Sequence, residues 1–145
     1  MSHHLTSADI EFKMQVEACT FPIPNFDHRA HLRLAYVYLV ENNTDEAIQK
    51  MRNALLVLLK SAGIDPSAKF HETLTKAWVL AVQHFMSHTE ESKSADIFID
   101  KNPEMLDSKI MMSHYSAEVL FSDKARSEFV EPNLDPIPRH ARNNA

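Results

Sequence analysis

One glycine, Gly63, serves a chain of 145 residues. Tight hairpin turns depend on glycine for backbone angles with φ > 0. A sheet protein of this length therefore has almost nowhere to turn, and the scarcity points to an all-α fold. The plentiful Met and Leu agree, because both are good helix formers. The length suits one domain. Such a chain buries roughly 68–70% of its unfolded surface. The expectation is a single helical domain, with residues 1–6 and 139–145 as loose ends, no repeat and no second domain.

Taken in order, Thr6 or Ser7 caps a first helix over about 7–19, whose apolar residues Ile10, Phe12, Met14 and Val16 partly alternate. Residues 21–25 carry Pro22 and Pro24 and read as extended. Asn25 or Asp27 caps a second helix running to about residue 42. Thr44 caps a third, apolar nearly all round from Leu55 to Leu59 and so expected to be buried there. Gly63 ends it in the left-handed cap position. Asp65 and Pro66 open a fourth helix reaching about residue 88. Beyond a polar loop at 89–94, two turns are expected from Ser94 to Lys101. A further helix follows from Asn102-Pro103 to about Ser113, and Ser122 caps a last short turn. From Glu131, three prolines make an extended tail on the surface.

The net charge is −5 and no Lys/Arg stripe stands out, which disfavours nucleic acid as a partner. No apolar run approaches the roughly 20 residues of a membrane-spanning helix. The N-terminal stretch lacks the basic-then-apolar layout of a secretory signal. Cys19 is the only cysteine, which leaves no intrachain disulfide and suggests an inert small core residue. Together these features lead us to expect a cytoplasmic protein.

The chemistry concentrates in two stretches, Asp27-His28-x-x-His31 and His71-Glu72-Thr73-x-Thr75. Short links make the helices antiparallel in sequence, so the second and fourth run parallel with their N-termini at one end. His28, His31 and His71 then face a shared region, with Glu72 or Asp27 beside them. Three readings stay open. The imidazoles could hold a divalent transition metal such as zinc, with Glu72 or Asp27 as further ligand or base. They could form a metal-free pocket for a small molecule, with His71 and Glu72 as acid–base catalysts and Asp27, Thr75, Trp78 and Tyr115 lining it. Or they could be structural hydrogen-bonding groups. The helical zinc-protease pattern is absent, since position 75 is Thr. Trp78, Tyr36 and Phe85 read first as core. His84, His88 and His140 read as solvent-side.

The order Phe26-x-His28-x-x-His31-Leu32-x-x-Ala35, Phe70-His71-Glu72-Thr73-x-Thr75-x-x-Trp78, Tyr115-Ser116, Ser122-x-x-Ala125-Arg126 and Val130-Glu131-Pro132-Asn133-Leu134-x-Pro136 resembles a family of small, uncharacterised bacterial helical proteins. Asn133 stands where that pattern has Asp. The resemblance implies that the histidine motifs and the Pro-containing tail belong to one design, and it implies no activity. The expectation is thus a helical bundle with an extended tail. Its function is either a metal or small-molecule site, with or without catalysis, or a non-catalytic interaction module, such as a homodimer, whose histidines are structural. An exposed apolar face on the first or third helix favours the latter.

Overall fold

A computed structural model describes residues 3–138, apart from the side chain of Ala68. Helical turns cover 67% of it, and no strand occurs among the described residues. The α-helices are α1 (Ser7–Glu17), α2 (His28–Glu41), α3 (Thr44–Ser61), α4 (Pro66–Lys69), α5 (Glu72–Ser87), α6 (Ala95–Lys101), α7 (Ala117–Leu120) and α8 (Asp123–Ser127). Three 3-10 segments, Ile23–Asn25, Pro103–Leu106 and Ser108–Ser113, join them. No helix is long and apolar enough to cross a membrane.

The core is a bundle of α2, α3 and α5, each packed on the other two, with α1 and α6 against α2 and α8 against α5. Helix α2 is the centre: Leu32 and all of 34–39 are buried. Helices α2 and α5 are direct neighbours and run parallel. The His28 ring lies edge-on to Trp78 at 4.7 Å. Eight residues further along both helices, His3 bridges them, donating to the Met86 carbonyl and resting on the Tyr36 ring. Helix α3 runs antiparallel to α5. The Gln83 amide reaches Thr44 at one end, and Arg52 meets Glu72 towards the other.

Local chemistry explains most helix ends. Thr6 and Asp9 form a reciprocal capping box on α1. Asp9 is 1% exposed, yet its carboxylate also accepts from Arg33 on α2 and from the Ala95 amide of α6. One buried carboxylate thus ties three helices with charge-assisted bonds. Helices α1 and α3 end alike. The Thr20 amide donates to the Gln15 carbonyl and that of Cys19 to Val16; the Ile64 amide donates to Leu59 and that of Gly63 to Lys60. Each is a Schellman turn whose pivot has positive φ, 60° at Cys19 and 73° at Gly63. Cys19 is therefore a half-buried pivot rather than a core residue, its thiol turned to the Val57 carbonyl.

Several boundaries differ from the expectation. Residues 23–25 coil into a 3-10 turn, started by the fixed φ of Pro22 and Pro24. Asn43, not Thr44, caps α3 through the Glu46 amide. The apolar run of α3 is not sheathed all round: Leu58 is buried, but Val57 is 51% exposed, because only one face meets α1, α2 and α5. Residues 102–113 form two 3-10 segments, separated by extended Asp107, and α7 went unforeseen. The N-terminal residues are not loose from His3 onward, since the His4 amide donates to the Ser92 carbonyl. The tail does lie along the surface, but it is pinned. The Leu134 amide donates to the His114 carbonyl, and Ile137 is buried. His84 is half-buried and His88 exposed; the positions of His140 and residues 139–145 fall outside the described residues.

Candidate functional site

The expected fourth helix is broken, and the break builds the site. The chain is extended at Phe70 and His71, which ends α4 and starts α5 afresh with His71 as its cap. The His71 ring replaces the usual Ser or Asp oxygen: its Nδ1 accepts from the Leu74 amide at 3.1 Å. Its Nε2–H donates to the Leu120 carbonyl at 2.8 Å. A backbone amide only donates and a carbonyl only accepts, so these partners fix the neutral Nε2–H tautomer. Burial pushes the His71 pKa below its ordinary value, and the nearby Arg126 charge acts in the same direction.

The next residues are equally committed. Glu72 is 9% exposed and takes a two-pronged bond from Arg52, with Nε at 3.0 Å and Nη2 at 2.8 Å. That bond holds the Arg52 guanidinium pKa above its ordinary value. The Thr73 hydroxyl donates to the Glu128 carbonyl at 2.9 Å and accepts from the Val130 amide at 3.1 Å, clasping the arm after α8. Thr75 returns its hydroxyl to the His71 carbonyl. Tyr115 is fully buried and donates to the Val130 carbonyl at 2.6 Å. Thr75 and Tyr115 are thus structural ties rather than walls of a histidine pocket.

The other histidine stretch forms a separate aromatic nest. Asp27 caps α2 through the Ala30 amide. His28 donates its Nε2–H to the Met105 carbonyl at 2.9 Å. His31 lies between Phe26 and His28, with ring centres 6.4 and 6.5 Å away. Its Nδ1 is enclosed and has no hydrogen-bond partner among the described residues. Burial, with a smaller contribution from His28, lowers the His31 pKa to about 4. The expected metal triad of His28, His31 and His71 is not assembled. Among the described residues no three His, Cys, Asp or Glu side chains are placed to hold one ion. The reason is the broken helix: capping α5 turns the His71 ring to Leu120, whereas His28 turns to Trp78 and Met105.

A groove opens on the other side of Glu72. It encloses about 770 Å³ between α3, the start of α5 and residues 127–129. Ile48, Leu56, Phe70 and Phe129 give it apolar walls. The Arg52–Glu72 pair, Lys76, Asp45 and Glu128 give it charge. The Lys76 ammonium sits over the Phe129 ring, 4.3 Å from its centre. No carboxylate lies within salt-bridge reach of Lys76 among the described residues. Smaller cavities of about 270 and 300 Å³ lie beside His114 and Ile137, and beside Ser67 and Arg126.

Arg52, Lys76 and Phe129 escaped the sequence reading. A signal for Arg52 existed. Arg52 and Glu72 carry opposite charges ten residues either side of Ala62, so an antiparallel return of the chain after Gly63 brings them to the same level. Phe129 had no such signal, because its place depends on the Thr73 clasp.

No family model matches the chain, and no curated protein or solved structure matches it.

Proposed function

We propose that this chain is a small-molecule binding protein whose ligand occupies the groove between α3, α5 and residues 127–129. The observation that carries this reading is the groove itself. Its volume lies within the roughly 300–1,000 Å³ of ligand sites. It combines apolar walls with a few fixed charges, the composition that gives such sites affinity and orientation. Glu72 belongs to this site as the partner that holds Arg52 across its floor. His71 supports it from behind by starting α5 at the right residue. His28 is a packing group of the α2–α5 contact, and His31 packs beside it against Phe26. The test is to map backbone amide shifts by NMR while titrating a mixed set of aromatic carboxylates, amines and amino acids at millimolar concentration. Shifts clustered at 45–56, 72–76 and 127–129 are expected. No shifts with any probe, or a cluster around His28 and His31 instead, overturns the reading.

Exposed Met14 and Val57, on the packed pair α1 and α3, favour a second reading, an interaction module that self-associates. Light scattering that gives a dimer for the wild type and a monomer for Val57→Lys supports it; a wild-type monomer removes it.

A further inference from the structure

Which chemistry fits the groove follows from its charges. Arg52 and Glu72 neutralise each other, and Arg52 spends its remaining Nη1 on Gln49 at 3.3 Å. The charge left facing the groove is dipolar. Lys76 lies on the aromatic wall, while the exposed carboxylates of Asp45 and Glu128 stand elsewhere on its lining. No cation lies within 4.0 Å of Asp45 among the described residues, and Glu128 has only the exposed Lys124 at 4.0 Å. A ligand bearing only a carboxylate finds Lys76 but is repelled by the two acids. One bearing only an amine finds the acids but is repelled by Lys76. A ligand with both charges answers Lys76 and one of the acids, and leaves Phe70 and Leu56 to cover an apolar body.

We propose that the groove binds a zwitterion with an apolar body, of the amino-acid class, its carboxylate on Lys76 and its ammonium on Asp45 or Glu128. This inference rests on the small-molecule reading above and gives that reading its ligand chemistry. Three probes of one shape separate the possibilities: L-phenylalanine, 3-phenylpropionate without the ammonium, and phenethylamine without the carboxylate. Isothermal titration of the full chain should show L-phenylalanine binding about tenfold or more tighter than either, the usual worth of one charge-assisted contact. Lys76→Met should weaken L-phenylalanine by a similar factor and leave phenethylamine bound as tightly or more tightly, since its repulsion by Lys76 is gone, which also shows that the variant is folded. Asp45→Asn combined with Glu128→Gln should weaken L-phenylalanine and phenethylamine and leave 3-phenylpropionate bound as tightly or more tightly, since the repulsion from the two acids is gone. Equal affinity for L-phenylalanine and 3-phenylpropionate overturns the zwitterion while leaving the groove as the binding site. No binding by any of the three, together with no shift at the groove from the wider probe set, overturns both.

Discussion

Replacing His31 with Leu should flatten the dependence of stability on pH. In the folded protein the half-buried His31 has its Nδ1 enclosed and without a partner among the described residues, and its pKa falls to about 4 from the ordinary 6.5, mainly through burial and secondarily through the charge of His28. The unfolded chain therefore binds a proton in the window between those values and the folded chain does not. Stability must rise with pH there: the contribution is complete above pH 6.5 and is lost as pH falls towards 4. Integrated from pH 7 to pH 5, the loss is about 2 kcal/mol, and it levels off at about 3 kcal/mol below pH 4. That is a large share of the roughly 5–15 kcal/mol that holds a domain folded. His3 and His71 are shifted downward as well, each chiefly by desolvation, so they add slopes of the same sign. The comparison of wild type with His31→Leu removes their contribution. Urea unfolding at pH 7, 6 and 5 measures it. A variant that loses as much stability as the wild type between pH 7 and 5 would refute the enclosed, neutral His31.

The two Schellman turns make opposite predictions. Gly63→Ala should cost about 1 kcal/mol of unfolding free energy. A Cβ there meets nothing within 4 Å, so strain from positive φ is the whole cause. Cys19→Gly relieves the same strain at φ 60° and should leave stability unchanged or raise it by up to about 1 kcal/mol, a balance of relief against chain entropy. His71→Ala should lower stability by about 2 kcal/mol, through loss of the α5 cap and of the bond to Leu120, while His71→Asn recovers the cap share. Thr73→Val removes both clasp bonds, so hydrogen exchange at the Val130 amide should accelerate well beyond any change in global stability.

The all-helical fold was legible because it rests on short-range rules. A single glycine, strong caps at Thr6, Asp27, Ser94 and Ser122, and the Asp65-Pro66 start all act within a few residues of themselves. The parallel direction of α2 and α5 was legible too, but not that they are direct neighbours, because links fix direction and leave the packing partners open. The break at Phe70–His71 was not. The apolar spacing runs through it unbroken, and what decides it is a distant acceptor, the Leu120 carbonyl, that rewards an extended His71. The same ring turned away from the site expected of it, so the candidate histidines separated for the reason that the helix divided. Glu72 was singled out as an acid–base group or metal ligand; in the structure its carboxylate takes a two-pronged bond from Arg52. Its partner Arg52, on the helix whose 55–59 stretch was read as buried, was not considered, and so the groove between them went unseen.

The central claim is that the histidines at these helix starts are fixed structural donors and acceptors, which leaves ligand binding to the groove. Long-range nitrogen–proton NMR of the imidazoles tests it most directly, because it reports tautomer and ligation ring by ring. The account predicts the Nε2–H tautomer for His71 throughout pH 6.5–8 and a proton on Nε2 of His28, with all three rings unmoved by equimolar zinc. Joint shifts of His28, His31 and His71 on adding zinc would contradict it.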